Sequence, residues 1–271
     1  MNDRVTVEIK DGVADVRLVR VDKMNALDDA MFSALVETGE RLKTEAGVRA
    51  VVLSGEGRAF CAGLDMGSFQ AMASGERSRN RETSSALLTP QRTEGGSNRA
   101  QHACMVWREI PAPVIAAVHG VAFGGGFQLA LGADLRFVAA DVKLAVLEIK
   151  WGLIPDMAGI VLMRGLVRDD VARELTYTGR IFGGEEAVAM GLASRVCANP
   201  RAEALTLAAE IASKNPHAIR AGKRLLNLMG EGDQHAILLA ESREQGALIG
   251  SPNQVEAVMA NLQKRAPSFA D

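Results

Sequence analysis

Aromatic side chains make up only 4% of this 271-residue chain, and tyrosine occurs once. A surface that holds nucleic acid by base stacking needs more of them. An excess of either charge is missing too: 31 lysines and arginines stand against 33 aspartates and glutamates, a formal net charge of −2. That balance removes the electrostatic case for nucleic acid or an anionic membrane. Cysteine is scarce and odd in number, with Cys61, Cys104 and Cys197 scattered along the chain. Such a set fits free thiols in a reducing compartment better than a disulfide framework. The histidines, His102, His119, His217 and His235, show no metal-ligand spacing, and no Cys-x-x-Cys occurs. No apolar run approaches the length of a membrane span. The opening stretch MNDRVTVEIKDG has no apolar h-region of a signal peptide. The expectation is a cytoplasmic, metal-free protein that engages neither nucleic acid nor membrane.

What is abundant is material for a core, since 48% of residues are hydrophobic. VTVEIKDGVADVRLVR alternates on both sides of Asp11-Gly12 and reads as a β-hairpin. LDDAMFSALVETGERLKTE reads as a helix with Asp28 as N-cap. VRAVVLSG and APVIAAVHG read as strands buried on both faces, and DLRFVAA and VKLAVLEI as further strands. Residues 73–103 form the most polar stretch and read as a long loop: a lid, a binding loop or a disordered segment. Arg77, Arg79, Arg81, Arg92 and Arg99 could meet an anion, the plainer reading of each being a solvated mobile loop. Helical patterns dominate from Ile160 onward. The fold class is therefore α/β, with mixed strands and helices followed by a helical C-terminal third whose apolar positions suit a partner subunit.

The stretch GVAFGGGFQLALGADLRF, Gly120 to Phe137, places three glycines ahead of a helix-forming run. Glycine costs backbone entropy, so the triplet needs a reason. A dinucleotide fingerprint fails at Leu129 and Gln128, and a phosphate loop lacks its Gly-Lys-Ser/Thr. Two readings remain: tight packing of strand against helix, or exposed backbone N–H groups that hold an oxyanion. A second glycine loop, GRAFCAGLDM, offers the Leu64 N–H as another donor, while Asp65 also suits a simple helix cap.

These segments carry a resemblance. AFCAGLDM, PVIAAVHGVAFGGGFQLALGADLRF, LEIKWGLIPDMAG and YTGRIFGGEEAVAMGLASRV resemble, in order, the crotonase (enoyl-CoA hydratase/isomerase) superfamily. RVDKMNALDDAM is similar to its N-terminal segment, with Val21 where proline is usual. The resemblance implies a spiral of repeated ββα units over residues 1–199, holding a CoA-thioester site. It implies a helical region over 200–271 that serves oligomerisation, as a homotrimer or homohexamer, and closes the pocket. It implies an acyl-CoA substrate, with no cofactor beyond the coenzyme A carried by that substrate. By motif, Leu64 and Gly125 donate backbone N–H groups to the thioester oxygen, and Lys23, Ala26, Ala62 and Asp65 lie along the CoA moiety.

The chemistry turns on three positions. Hydratases of the family place a glutamate three residues after the middle glycine, where this chain has Gln128, which cannot exchange a proton usefully at neutral pH. Their second glutamate corresponds to Glu148. Asp156 follows, and dienoyl-CoA isomerases similarly carry a Glu and an Asp at these two places, although they also carry an aspartate at the position of Gln128. The resemblance thus implies Glu148 and Asp156 as a proton-shuttling pair, with Gln128 orienting substrate or water, and favours double-bond isomerisation. Aryl-CoA dehalogenases share the aspartate but lack Glu148. The alternatives are hydration and a non-catalytic acyl-CoA-binding homologue. The plainer alternatives for the acids are a water-facing strand end for Glu148 and a helix N-cap for Asp156.

Overall fold

The computed structural model describes residues 3–73, 92–230 and 232–271. The N-terminal hairpin pairs β1 (Val5–Lys10) with β2 (Val13–Leu18), from Val5 opposite Leu18 to Lys10 opposite Val13. Its turn residues Asp11 and Gly12 take φ of 50° and 80°, the left-handed pair that a two-residue hairpin requires. Helix α1 (Asp29–Thr44) follows, and Asp28 accepts the Met31 N–H at 2.8 Å, a cap worth about 1 kcal/mol. Next come β3 (Ala50–Gly55), α2 (Met66–Ala73) and α3 (Arg99–Glu109). Strands β4 (Val114–Val118) and β5 (Val121–Phe123) lead into α4 (Gly125–Leu131), and β6 (Leu135–Ala139) and β7 (Lys143–Ala145) follow. Short helices α5 (Gly159–Met163), α6 (Asp169–Thr178) and α7 (Gly184–Met190) precede β8 (Arg195–Cys197).

The larger sheet has six strands in the order β1-β2-β3-β4-β6-β8, parallel from β2 onward. Strands β5 and β7 form a separate parallel pair, extended by bridges from Cys61 to Ala122 and from Leu144 to Phe182. The chain therefore adds one strand to the larger sheet and the next to the smaller, twice in succession. That winding brings the 57–66 loop and the 120–128 turn together.

Strand alternation divides the core. Val51, Leu53, Val114, Ala116 and Val118 face one cluster, while Ala50, Val52, Ile115 and Ala117 face the other. Helix α8 (Pro200–Ala212) covers the second face with Ala204, Ala208 and Ala212, whose four-residue spacing sets small side chains against the sheet. In α9 (Pro216–Leu228), the buried Lys223 donates to Asp134 Oδ2 at 2.7 Å and to the Ala112 carbonyl at 3.0 Å. Asp134 Oδ2 also accepts the Val114 N–H at 2.7 Å, so this pair pins the helix to the start of β4. Helix α10 (Gln234–Leu248) has no buried residue, and α11 (Pro252–Leu262) buries only Asn253 and Ala260.

Four local expectations change. The polar stretch read as a loop runs into α3 at Arg99, a helix started by a reciprocal capping box between Asn98 and Gln101. Arg77, Arg79 and Arg81 fall outside the described residues; Arg92 donates to the Gly96 carbonyl and Arg99 pairs with Asp29. VKLAVLEI does not run as one strand: β7 ends at Ala145, and Glu148–Trp151 forms a 3-10 turn. A short strand, β8, interrupts the helical third. Finally, although the histidine spacing shows no metal pattern, folding brings Glu40, His102 and Glu109 together with ligand atoms within 4.8 Å. The Lys43 ammonium lies against both Glu40 and Glu109 and supplies the positive charge there. All three thiols are free and buried, and burial pushes Cys61 up to about 12.

Candidate active site

The 57–66 loop is fastened to the segment after β2. Ala62 N–H donates to the Met24 carbonyl at 2.9 Å, Leu27 N–H to Gly63 at 2.8 Å, and Asp65 N–H to Leu27 at 3.0 Å. These bonds use the amides on either side of Leu64 and leave the Leu64 N–H without an internal acceptor among the described residues. Asn25 holds the other end, its Nδ2 donating to the Glu56 and Ala59 carbonyls at 3.0 and 2.9 Å. Met24 and Asn25 both take positive φ, 49° and 55°. Asparagine tolerates that conformation, so Asn25 was legible as a special backbone position, although the sequence reading assigned it nothing.

Each glycine of the triplet has its own constraint. Gly124 has φ of 51°, and a β-carbon there would lie 3.1 Å from Glu148 Oε1. At Gly125 it would meet Met157 Sδ at 2.6 Å and Leu27 Cδ1 at 2.9 Å. At Gly126 it would meet the Cys61 carbonyl oxygen at 2.2 Å, which is impossible without moving a backbone. The packing reading therefore holds at Gly126, and that close packing of α4 on the Cys61 loop sets where the Gly125 amide lies. The two loops touch there, since a β-carbon on Gly63 would reach Gly125 N at 3.8 Å. The Gly125 N–H opens α4 and has no internal acceptor among the described residues.

Glu148 stands beside this junction. Its Oε1 accepts the Gln128 Nε2–H at 2.6 Å. Its Oε2 is buried and has no hydrogen-bond partner among the described residues. Burial raises its pKa; the Gln128 N–H and the Leu147 and Glu148 amides offset part of the rise, and the charge of Asp156 adds to it. Gln128, 2% exposed, takes two backbone donors on its Oε1, Met157 N–H and Gly159 N–H, each at 2.9 Å. Both ends of its side-chain amide are thus engaged by the protein.

Asp156 lies exposed on the turn between the 3-10 segment and α5. It is not the N-cap of α5; that place belongs to Ala158, with φ of 70°. Lys23 is exposed in the 3-10 turn Val21–Lys23 and Ala26 is buried, its carbonyl accepting Arg20 Nη1 at 3.0 Å. Asp65 accepts the Gly67 N–H at 2.8 Å and pairs with Arg20 at 2.7 Å, so its carboxylate caps and braces the loop. Lys23, Ala26, Ala62 and Asp65 all belong to the two fastened segments. Trp107 is fully buried in the core, while Trp151 is exposed beside Lys150.

Two loops thus set amides that have no internal acceptor among the described residues beside one half-buried carboxylate, an arrangement chemically able to polarise an acyl oxygen and move a proton. The comparisons give this site a family. The profile described as "Enoyl-CoA hydratase/isomerase" matches residues 8–271. A "Probable enoyl-CoA hydratase" of Bacillus subtilis (strain 168) is 32% identical over 249 residues, covering 90% of each chain. The mitochondrial Delta(3,5)-Delta(2,4)-dienoyl-CoA isomerase of Homo sapiens is 33% identical over 234 residues, covering 82% of this chain and 66% of its own. Among solved structures, an enoyl-CoA hydratase of Mycobacterium smegmatis superposes with a TM-score of 0.84 at 30% identity, covering 98% of both chains. The chain belongs to the enoyl-CoA hydratase/isomerase family and has its crotonase fold. Among the described residues, no helix is long and apolar enough to cross a membrane.

Proposed function

We propose that this chain shifts a double bond in an enoyl-CoA thioester by proton transfer through an enolate. The thioester oxygen lies between the Leu64 and Gly125 amides. Glu148 Oε2 removes a proton from the acyl chain, and the electron pair moves to that oxygen. Collapse of the enolate takes up a proton further along the chain, given by Asp156. The pair starts with its one proton on Asp156 and ends with it on Glu148; between turnovers Glu148 releases its proton to water and the exposed Asp156 takes one up, which resets the pair. Two donors on the developing charge are worth about 3 kcal/mol of barrier each. Coenzyme A enters as part of the substrate, with Lys23 and the backbone around Ala26, Ala62 and Asp65 along it.

The observation that carries this reading is the buried Glu148 Oε2, without a hydrogen-bond partner among the described residues, beside two backbone amides that have no acceptor among those residues. Isomerisation is favoured over hydration because the group bonded to Glu148 at residue 128 is an amide, so no second carboxylate stands there to activate water. Exposed Leu226, Met229, Leu238, Leu239 and Leu262 on the C-terminal helices support a homotrimer or homohexamer.

The test is to follow 3-enoyl- and 3,5-dienoyl-CoA in deuterated water, and water addition to 2-enoyl-CoA in parallel. The reading expects double-bond shift with α-deuterium exchange and little hydration. Glu148→Gln should lower the shift by about 10³-fold or more. Hydration that dominates, or isomerisation that survives in Glu148→Gln, overturns it. Tight acyl-CoA binding with neither reaction supports the non-catalytic homologue instead.

A further inference from the structure

We infer that Gln128 is a positioning residue that fixes which oxygen of Glu148 carries the proton and ties that carboxylate to the turn bearing Asp156. The inference rests on Glu148 being the base. The orientation of the Gln128 amide follows from its surroundings. Met157 N–H and Gly159 N–H can face only an acceptor, so Oε1 lies toward them and the NH₂ end lies toward Glu148. Glu148 Oε1 therefore receives a hydrogen, which disfavours a proton on that atom. A proton on Glu148 then sits on Oε2, the oxygen that has no hydrogen-bond partner among the described residues. Both removal and return of a proton at Glu148 then pass through one atom.

The same Oε1 bonds hold the turn. Ala158 keeps φ of 70°, a conformation that an alanine leaves unless its surroundings hold it, and its own side chain supplies no cap. The Gln128 oxygen takes the N–H groups on both sides of Ala158, which makes it the external cap of α5. One side chain thus sets Glu148 and, two bonds away, the turn that presents Asp156. A β-carbon on Gly159 would fall 2.7 Å from Gln128 Oε1, so the close seating of this turn on Gln128 leaves no room for a larger residue. The titratable groups that bear on Glu148 are Asp156, on the next turn, and the Cys104 thiol of α3, which burial first, then Cys61, Asp156 and Glu148 push well up.

The experiment uses the full-length protein and 3-enoyl-CoA, comparing Gln128→Met and Gln128→Glu with the unaltered chain. Gln128→Met removes the donor to Glu148; kcat should fall about a hundredfold with KM changed little, because misplacing the base by a fraction of a bond length is costly. The acid limb of the kcat profile should move up by about one unit, since the N–H that favoured the carboxylate is gone. Gln128→Glu keeps an oxygen for Met157 and Gly159 but sets a second oxygen against Glu148 Oε1, so the limb should move up further as the pair shares a proton. Gln128→Glu serves alone if Gln128→Met does not fold. A residue that only packs would alter Tm and leave the acid limb in place, and an unmoved limb in a folded variant overturns the inference. If Glu148→Gln itself stays active, the reading of Glu148 fails first.

Discussion

The 57–66 loop and the 120–128 turn each bring one backbone amide to the same junction, but they are held by opposite means. The first is fastened by hydrogen bonds, through Ala62, Leu27, Asp65 and the side chain of Asn25. The second is fixed by the absence of side chains, with Gly124, Gly125 and Gly126 pressed on Glu148, Met157 and the Cys61 carbonyl. The difference teaches where each loop is vulnerable. A hydrogen-bonded loop loses stability in steps as donors are removed, whereas a close-packed turn tolerates no added carbon at the contact between backbones.

Gly126→Ala breaks the comparison most severely. Its β-carbon would sit 2.2 Å from the Cys61 oxygen, so one of the two loops must move. The expected loss is about 3 kcal/mol of stability or more, with activity abolished, read by thermal denaturation and the isomerase assay. Gly125→Ala sharpens it. There the added carbon meets the ends of Met157 and Leu27, which can shift, so the protein should fold with a loss of about 1–2 kcal/mol. Turnover should still fall by about tenfold or more, because the amide donor is displaced. If Gly125→Ala is as destabilising as Gly126→Ala, the distinction between side-chain and backbone contact is wrong.

The smallest effect concerns pH. Burial raises the pKa of Glu148, so a reaction needing its carboxylate loses rate as pH falls through a value above the ordinary glutamate figure of about 4.3. Asp156→Asn removes a neighbouring negative charge that contributes to the rise. The acid limb of α-proton exchange should then move to lower pH, by less than about one unit, while double-bond shift slows because the returning acid is gone. A limb that stays put shows that the two carboxylates do not sense each other.

Much of the site could be read before any fold was known, because its parts are backbone features with sequence signatures. Asp11-Gly12 specified the hairpin turn, Asp28 the start of α1, and the paired glycine loops the two amides. What escaped depended on contacts between distant segments. Nothing local to FGGGFQ says that Gln128 meets Met157 N–H, Gly159 N–H and Glu148 Oε1, contacts made to segments distant in the sequence. Likewise VKLAVLEI has the composition of a strand, but pairing stops at Ala145 and frees the chain to turn Glu148 inward. The helix at Arg99–Glu109 was written in the sequence, in the Asn98…Gln101 box, and was masked by the polarity around it.

The central claim is that the Leu64 and Gly125 amides converge on one acyl oxygen. It is tested most directly by isotope-edited infrared spectroscopy of a saturated acyl-CoA, labelled with ¹³C at the thioester carbonyl and bound to the Glu148→Gln protein. Two hydrogen bonds weaken the C=O bond, so its band should shift to lower frequency on binding, and Gly125→Ala should reverse part of that shift. A thioester band that binds without shifting, or that ignores Gly125→Ala, contradicts the account.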